Sequence, residues 1–349
     1  MKVKALQFGK ALSAALFVLL LTVAGTKNTL AQTLVATLQH GNDINFYYGS
    51  DALRNAYDAA ESGDIITLSS GSFASPNNGI GKAITLRGAG CVTDNTSGVQ
   101  PTVIDGCYFS VNDAENFFTM EGIRITGETR FDYLCDAKFT KCNFDLFHNQ
   151  GWGSPQMRNA QFNNCMFNQL NFSCTRNSTL INCVIWRASS LDNDDNTVTA
   201  FNSIIKLNSQ AYALSAYNCI IIQDYWNDYL RYYSVAYNCI GIKRVYDDEH
   251  SVFDVTTFDC VEYDELSDVF ETFEGFEDDN FDFTEPFILK SNIATSFLGN
   301  DGTEVGLYGG FMPYTSRPSY QIVKHYNVPN KSDAQGHLNV GIELYSGDE

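Results

Sequence analysis

A short phrase recurs along the middle of the chain: an aromatic or apolar residue, then asparagine, then cysteine, then two apolar residues. Its clearest copies are Asn163–Phe167, Ile181–Ile185, Phe201–Ile205, Tyr217–Ile221 and Tyr237–Gly241, and weaker copies are Thr140–Phe144 and Phe258–Glu262. The cysteine position, which holds serine in one copy, falls at 142, 165, 183, 203, 219, 239 and 260. This spacing of about 20 residues predicts a tandem structural repeat.

Each phrase alternates with a period of two around its cysteine, which indicates a β-strand. The residues between phrases are polar and show no helical periodicity, so each repeat contributes one short strand and loops, as in a parallel β-solenoid. We expect the residues two before, at and two after each cysteine to point inward. We expect each asparagine either to face the other way or to sit at a bend, where its amide can bond to the copies above and below.

The same period continues toward the N-terminus without cysteine. Apolar segments follow one another at Ile66–Leu68, Ile84–Leu86, Thr102–Ile104, Phe117–Met120 and Ile123–Ile125. Together with the phrases they predict about ten coils. Leu53, Ala56, Tyr57 and Ala60 share one face of a predicted helix over 51–61 that begins at Asp51 as N-cap, and this helix would cover the first coil.

Residues 48–125 and 280–310 resemble bacterial secreted right-handed parallel β-helix proteins of the pectin-lyase-like superfamily. The resemblance lies in Ala52–Leu68, Gly71–Phe73 and Ile84–Gly88, which look like the entry helix and first coils, and in Gly299–Gly310, which looks like the last-coil signature. It implies an all-β, right-handed single-stranded parallel β-helix. The alternative, a leucine-rich repeat, is disfavoured because the chain lacks its Leu-x-x-Leu-x-Leu frame.

The beginning of the chain is typical of a secretory signal peptide. Lys2, Lys4 and Lys10 precede a mostly apolar run at 11–24, which is shorter than the roughly 20 residues that span a membrane. A small-residue cleavage site follows at Thr29–Ala31, and Val23–Gly25 is a second candidate. We therefore expect an exported protein, periplasmic, cell-surface or extracellular, with residues 1–31 removed and no membrane span in the mature chain.

The balance of charged residues limits the classes of molecule that the protein can bind. The chain carries 22 Lys and Arg against 41 Asp and Glu, and its net charge of −19 falls to −23 when the four lysines of residues 1–31 are lost. Such a charge repels phosphate backbones, which argues against nucleic-acid binding. It also disfavours a bare acidic polysaccharide as ligand.

Ten cysteines raise the question of metal or redox chemistry. The chain has no Cys-x-x-Cys pair, and cysteines stacked along a line do not converge on a metal ion. Six of the ten fall on the repeat, where we expect small buried side chains. Cys91, Cys107, Cys135 and Cys174 lie off the repeat and are disulfide candidates, with Cys91–Cys107 the first choice.

Candidate ligand-binding residues fall in the segments that follow the predicted strands. All three tryptophans lie there among acids, tyrosines and arginines, and stacked turns would join them into one face that holds a sugar chain. The candidates are Trp152, Trp186, Arg187, Asp192, Asp194, Asp195, Tyr225, Trp226, Asp228 and Arg231. The run Asp192–Asn196 also has oxygen ligands for Ca²⁺, although it lacks the glycine and glutamate spacing of an EF-hand loop.

The resemblance does not supply a reaction, because this fold carries many functions. Polygalacturonases of the superfamily carry Asn-Thr-Asp, Asp-Asp, His and Arg-x-Lys motifs, and the chain has only the Asp194–Asp195 pair, with His148 and His250 in unrelated contexts. We therefore expect a non-catalytic, adhesin-like module that binds a polysaccharide, a cell-surface glycan or another surface. The alternative is a polysaccharide lyase or glycoside hydrolase with an unrecognised active site.

The expected domain organisation has three parts. Residues 1–31 are the signal peptide, 32–312 the β-helix with its N-terminal cap, and 313–349 a C-terminal extension of two β-strands. The segment 247–285 contains 16 acids and no Lys or Arg, interleaved with seven phenylalanines. This mixture predicts a folded element with an acidic solvent face.

Overall fold

The structure is a computed structural model of the whole chain. It describes residues 34–93, 98–113, 115–149, 156–189, 197–225, 228–243, 251–273 and 281–317, and the backbone alone of 322–327 and 341–345. The predicted signal peptide at 1–31 lies outside the described residues.

The chain winds into an all-β parallel solenoid, as the repeat predicts. Each coil contributes one strand to sheet A and the next strand to sheet B, and ten such pairs give about nine turns. No helix interrupts the described residues between Ile65 and Tyr263, which excludes a leucine-rich repeat with helical connections. The expectation of about ten coils is confirmed.

Sheet A has the following parallel strands in coil order: Ile65–Leu68, Thr85–Arg87, Phe118–Glu121, Ala137–Thr140, Gln161–Asn163, Ser178–Ile181, Val198–Phe201, Leu214–Tyr217, Leu230–Tyr237 and Phe253–Phe258. Sheet B has Gly71–Ala74, Thr102–Val111, Ile123–Cys135, Asn143–Asn149, Met166–Asn171, Val184–Ser189, Ile204–Leu207, Ile220–Gln223, Ile240–Ile242 and Val261–Tyr263. Short strands Gln156–Arg158 and Thr175–Arg176 belong to sheet B and Ala211–Tyr212 to sheet A, where they pair with neighbouring strands at Tyr133–Cys135, Met157–Arg158 and Leu230–Arg231, respectively.

The N-terminal end is covered by a helix and a hairpin. The predicted helix spans Ala52–Ala59 and buries its apolar face, which confirms the prediction. Asp51 is the N-cap residue, as predicted, but its side chain makes no capping hydrogen bond and pairs with Arg54 at 2.8 Å. The antiparallel strands Val35–His40 and Asp43–Tyr48, which the sequence analysis missed, continue sheet A beyond the first coil.

The recurring phrase is a bend between two strands rather than one strand. Asn164, Asn182, Asn202, Asn218 and Asn238 all have left-handed backbone, with φ between 46° and 54°. Asparagine tolerates this conformation better than other side chains with a Cβ. Parallel pairing continues through the bend, since each of these backbone N–H groups donates to a carbonyl of the next coil. The phrase therefore marks the corner where sheet A passes into sheet B.

The bend changes which side chains point inward. The cysteine and the residue two positions after it are buried, as expected, in every copy except the last, where Cys260 is half-buried and Glu262 is exposed. Phe144 stacks on Phe167 at 5.0 Å. The residue two before cysteine usually lies on the outside, which corrects the prediction. There Phe201, Tyr217, Tyr237 and Phe258 stack along the rod at centroid distances of 4.5–5.1 Å. Reversal of the backbone at asparagine breaks the two-residue alternation and causes this difference.

A second apolar core lies on the outer face of sheet B. Its solenoid side comprises Met166, Val184, Trp186, Ile204, Ile220, Ile222, Ile240 and Ile242, and its cover includes Phe281, Phe283, Phe287, Leu289, Ile293, Val305 and Leu307. We call residues 281–317 the C-terminal strap. Buried Phe270, Phe281 and Phe283 confirm that described parts of the acidic segment are folded.

The asparagine column holds this strap. Asn182 Nδ2 donates to the carbonyls of Leu307 and Gly309 at 2.8 Å each, and Asn164 Oδ1 accepts from the backbone N–H of Thr315 at 2.7 Å. Asn218 Nδ2 donates to Asn300 Oδ1 at 3.1 Å. The expectation that these amides bond to one another was therefore wrong for these three residues. They recognise the strap instead.

The glycine-rich segment 299–310 is part of the strap and not of the last coil, whose sheet B strand ends at Tyr263. A Cβ on Gly309 would lie 1.7 Å from the Glu304 carbonyl oxygen and 2.6 Å from Asn202 Nδ2. Glycine is required there because the strap folds closely against its own backbone at Glu304 and also packs against Asn202 of the solenoid. The two predicted C-terminal strands, Ile322–Asn327 and Gly341–Tyr345, pair antiparallel with each other and form a separate two-stranded sheet.

Candidate functional site

Five of the ten sequence-predicted site residues lie outside the described residues: Trp152, Asp192, Asp194, Asp195 and Trp226. The candidate Ca²⁺ segment Asp192–Asn196 lies outside them as well. The remaining five are described, and the structure divides them between two environments, a buried cluster and an exposed patch.

Trp186 is buried rather than placed in an exposed loop. It lies in the strand Val184–Ser189, is 1% exposed, and stacks on Phe281 of the strap. Lys206 Nζ lies 3.8 Å from the centre of its ring and pairs with Asp224 at 2.9 Å. Trp186 therefore joins the strap to the solenoid, and its buried ring does not offer a face to a ligand. Arg187 follows it in the same strand and is half-buried.

Asp228 is also buried, with 3% of its surface exposed. Its carboxylate accepts the backbone N–H of Tyr225 at 3.1 Å. Burial raises the pKa of Asp228 to about 6, and the nearby negative charge of Asp224 adds to the shift. Asp228 thus shapes the loop that presents Tyr225, whose side chain is 60% exposed. Its role is to position the loop.

Arg231 lies at the centre of an exposed aromatic cluster that also contains Gln210, Tyr212, Tyr229 and Tyr232. We call this cluster the tyrosine patch. The rings of Tyr212 and Tyr232, on adjacent coils, stack at 5.1 Å with an interplanar angle of 14°. The Arg231 guanidinium lies 4.5 Å from the Tyr232 ring and 5.7 Å from the Tyr229 ring. Gln210 Oε1 accepts from both Arg231 and the Tyr212 hydroxyl. Each polar group is thereby held in a fixed orientation.

Tyr232 has an unusual backbone conformation. Its φ is +52°, in the left-handed region, where a bulky side chain is a rare exception. Its side chain nevertheless remains 60% exposed, and the next residue, Tyr233, is 68% exposed. Strained backbone combined with exposed rings is a pattern found at binding sites, where the fold stabilises an otherwise costly presentation.

The patch combines the groups that recognise sugars. Tyrosine rings offer an apolar face with a polar edge, and Arg231 and Gln210 add hydrogen-bonding groups beside them. Tyr225, Arg231 and Tyr232 lie in the aromatic segment that the sequence indicates as a binding face, whereas Tyr212 and its stacking on Tyr232 were not predicted. The signal was the density of tyrosines at 212–233, which the repeat pattern alone does not place on one surface.

A second polar site, which the sequence analysis missed, lies nearer the N-terminus. A cleft of about 620 Å³ opens on the side of sheet B, lined by Ser75–Gly79, Asp105–Tyr108, Glu128 and Arg130. Tyr108, Arg130 and His148 occupy matching positions on three successive coils. Distant sequence positions therefore meet in one column.

Hydrogen bonds connect the side chains of this column. Glu128 pairs with Arg130 through one oxygen and accepts from His148 Nε2 at 2.6 Å through the other. The Tyr108 hydroxyl bonds to Asp132 of the next coil. Hydrogen bonding from Arg130, reinforced by His148, lowers the pKa of Glu128, and burial with the Asp132 bond raises the pKa of Tyr108. At neutral pH Glu128 is therefore ionised and Tyr108 keeps its proton.

Of the ten cysteines, Cys107 alone lines either site, and its thiol is buried. All ten are free thiols, so the predicted Cys91–Cys107 disulfide is wrong. Cysteines on the ladder instead donate to backbone carbonyls: Cys219 Sγ, for example, lies 3.2 Å from the Tyr217 oxygen. Across the described ranges, no three His, Cys, Asp or Glu side chains form a group suited to a metal ion.

Fold and surface define the class: a parallel β-solenoid with a tyrosine patch on its surface and a polar cleft beside sheet B. No helix within the described part of the chain is long and apolar enough to cross a membrane. Comparisons with protein-family models, curated proteins and solved structures find no match. The resemblance to the pectin-lyase-like superfamily thus has only the solenoid architecture to support it.

Proposed function

We propose that this protein is an exported, non-catalytic β-solenoid that binds a glycan through the tyrosine patch. The observation that carries the proposal is the stacked pair of Tyr212 and Tyr232 with Arg231 fixed beside it. Sugars bind to exposed aromatic rings through their apolar faces while neighbouring polar side chains bond to their hydroxyls. The strained backbone of Tyr232 supports a role for its ring beyond packing.

A glycan array with the chain lacking residues 1–31 tests this proposal. The protein should retain a defined set of oligosaccharides, and Tyr232→Gly should weaken their binding about tenfold, since one stacked ring contributes about 1–1.5 kcal/mol. Glycine suits the positive φ, so this variant removes the ring without adding backbone strain. Equal retention of wild type and Tyr232→Gly, or no retention of any glycan, contradicts the proposal.

A polysaccharide lyase or glycoside hydrolase is the second candidate, and the cleft is the observation that favours it. Glu128 is an ionised carboxylate beside His148, and Asp105 lines the same cleft. Carboxylates are the acid and base groups of glycoside hydrolysis. Incubation with the glycans retained on the array decides between the candidates. New reducing ends or unsaturated products that form with wild type and not with Glu128→Gln would show that the protein is an enzyme. That result would overturn the non-catalytic proposal.

Export rests on the basic start and short apolar run of residues 1–31. Expression with this segment in a bacterial host, followed by N-terminal sequencing of the exported protein, tests it. The mature chain should begin at about residue 32. A chain that stays in the cytoplasm with residues 1–31 attached contradicts the proposal.

A further inference from the structure

We propose that the cleft beside sheet B binds an uncharged, hydroxyl-rich oligosaccharide, and that it is a subsite separate from the tyrosine patch. The inference rests on the proposed glycan-binding function and specifies its ligand. Three features of the cleft carry it: its volume, the spacing of its side chains along the rod, and its local charge.

The cleft is shallow and open to solvent, and its volume is that of a ligand site. Its volume of about 620 Å³ lies within the usual range for small-molecule sites. One wall is the loop Ser75–Gly79, which supplies a hydroxyl and the amides of Asn77 and Asn78. The other is the outer edge of the next two coils, with Tyr108, Glu128 and Arg130. Amides, hydroxyls and a carboxylate together match the donors and acceptors of sugar hydroxyls.

Polar side chains recur along the solenoid axis with a spacing similar to that of successive units in a sugar chain. Tyr108, Arg130 and His148 are register partners on adjacent parallel strands, so they follow one another at about 4.8 Å. This step is comparable to the length of one pyranose unit. A chain laid along the solenoid axis thus meets Tyr108 and then Arg130 in the cleft, and His148 continues the column beyond the lining. Tyr108 presents a ring beside its hydroxyl, which suits stacking as well as bonding.

The local charge selects an uncharged ligand. Asp105 and Glu128 line the cleft and Asp132 bonds to Tyr108, whereas Arg130 is the cationic side chain in the lining. Arg130 is already paired with Glu128, and His148 bonds to the same carboxylate. An anionic sugar therefore meets net negative charge at the cleft, in a chain whose net charge is −19. Neutral sugars instead donate their hydroxyls to Asp105 and Glu128.

Titration calorimetry with neutral and acidic probes tests the inference. The probes are cellopentaose, xylopentaose and maltopentaose as neutral chains and penta-galacturonate as the acidic chain. At least one neutral probe should bind at least tenfold more tightly than penta-galacturonate. Tyr108→Ala should weaken that neutral binding about tenfold, with Tyr108→Phe between the two, because it retains the ring and loses the hydroxyl. Circular dichroism and thermal unfolding verify that each variant is folded.

The paired variants separate this inference from the proposed function. Loss of binding in Tyr232→Gly with none in Tyr108→Ala overturns the cleft as a subsite and leaves the tyrosine patch. Loss in Tyr108→Ala alone supports the cleft and refutes the patch. Tighter binding of penta-galacturonate than of every neutral probe overturns the assigned ligand class. Glu128→Gln provides a further check. Because it removes one negative charge, it should reduce the ratio of the affinity for the neutral probe to the affinity for penta-galacturonate severalfold.

Discussion

Replacement of Asn182 tests whether the asparagine column holds the C-terminal strap. Its amide donates to the carbonyls of Leu307 and Gly309, and its backbone has a φ of +49°. Asn182→Ala removes two hydrogen bonds of about 1 kcal/mol each and leaves two carbonyls without this donor. It also places alanine in the left-handed region at a cost of about 1 kcal/mol. The expected loss of stability is about 3–4 kcal/mol.

Asn182→Gly is the matched control for the backbone contribution. Glycine adopts the left-handed conformation without a steric cost, so this variant isolates the loss of the side-chain amide. We expect it to lose about 1 kcal/mol less stability than Asn182→Ala. If both variants lose equal amounts, the left-handed bend contributes nothing and the reasoning about the repeated asparagine is incorrect.

Fluorescence of Trp186 reports release of the strap directly, because its ring is buried between the solenoid and Phe281 of the strap. The variants should be made with Trp152 and Trp226 replaced by phenylalanine, so that one tryptophan remains. Urea titration of Asn182→Ala should then show a red shift of Trp186 emission at lower denaturant than wild type. A loss below 1 kcal/mol, or a shift that coincides with wild type, refutes the role of the column.

Three further predictions follow from the same structure. Gly309→Ala should release the strap and cost at least about 3 kcal/mol, because its Cβ meets the Glu304 oxygen, whereas Gly302→Ala, with open space around it, should cost about 1 kcal/mol by denaturant titration. Asp228 has a raised pKa in the folded state, so its own contribution to stability should fall by about 1–2 kcal/mol as pH rises from about 4 to 6, and Asp228→Asn should remove that contribution from the slope of stability against pH; equal slopes for wild type and variant would contradict the assignment. Thiol labelling of the native protein should modify at most the two partly exposed cysteines, Cys174 and Cys260, and rapid labelling of more would contradict the buried ladder.

The repeat determined the architecture well because a solenoid reuses one local solution in every coil. The seven phrases located the cysteine ladder and the corner, and apolar segments such as Ile66–Leu68 and Ile123–Ile125 located the earlier strands. The side-chain directions were predicted less well. Period-two alternation assumes continuous extended backbone, and the positive φ at residues such as Asn182 interrupts it.

The partners of the asparagines were not predictable from the repeat. A ladder that bonds to itself and a column that bonds to a strap have the same local sequence, and only tertiary contact distinguishes them. The glycines at 299, 306 and 309 were the available signal, because each approaches an asparagine or isoleucine of the solenoid too closely for a Cβ. Spacing alone does not show which surface they approach.

The candidate site was predicted in part for a similar reason. Tyr225 and Arg231 were found because they lie in a loop rich in aromatic residues, but Trp186 and Asp228 lie in that pattern and are buried. The cleft was missed because Tyr108, Arg130 and His148 are about 20 residues apart and meet only through coil register. In a solenoid, sites form across coils, so sequence clusters within one loop are poor guides to them.

Hydrogen exchange with and without a bound oligosaccharide tests the central claim most directly. The claim is that the outer surface of this solenoid binds glycan at the tyrosine patch and at the cleft. With a saturating neutral pentasaccharide, the account predicts slowed exchange in peptides covering 210–212 and 229–233, and in peptides covering 75–79 and 105–108. Protection confined to the C-terminal strap or to the strands Ile322–Asn327 and Gly341–Tyr345, or no protection at any site, would contradict it.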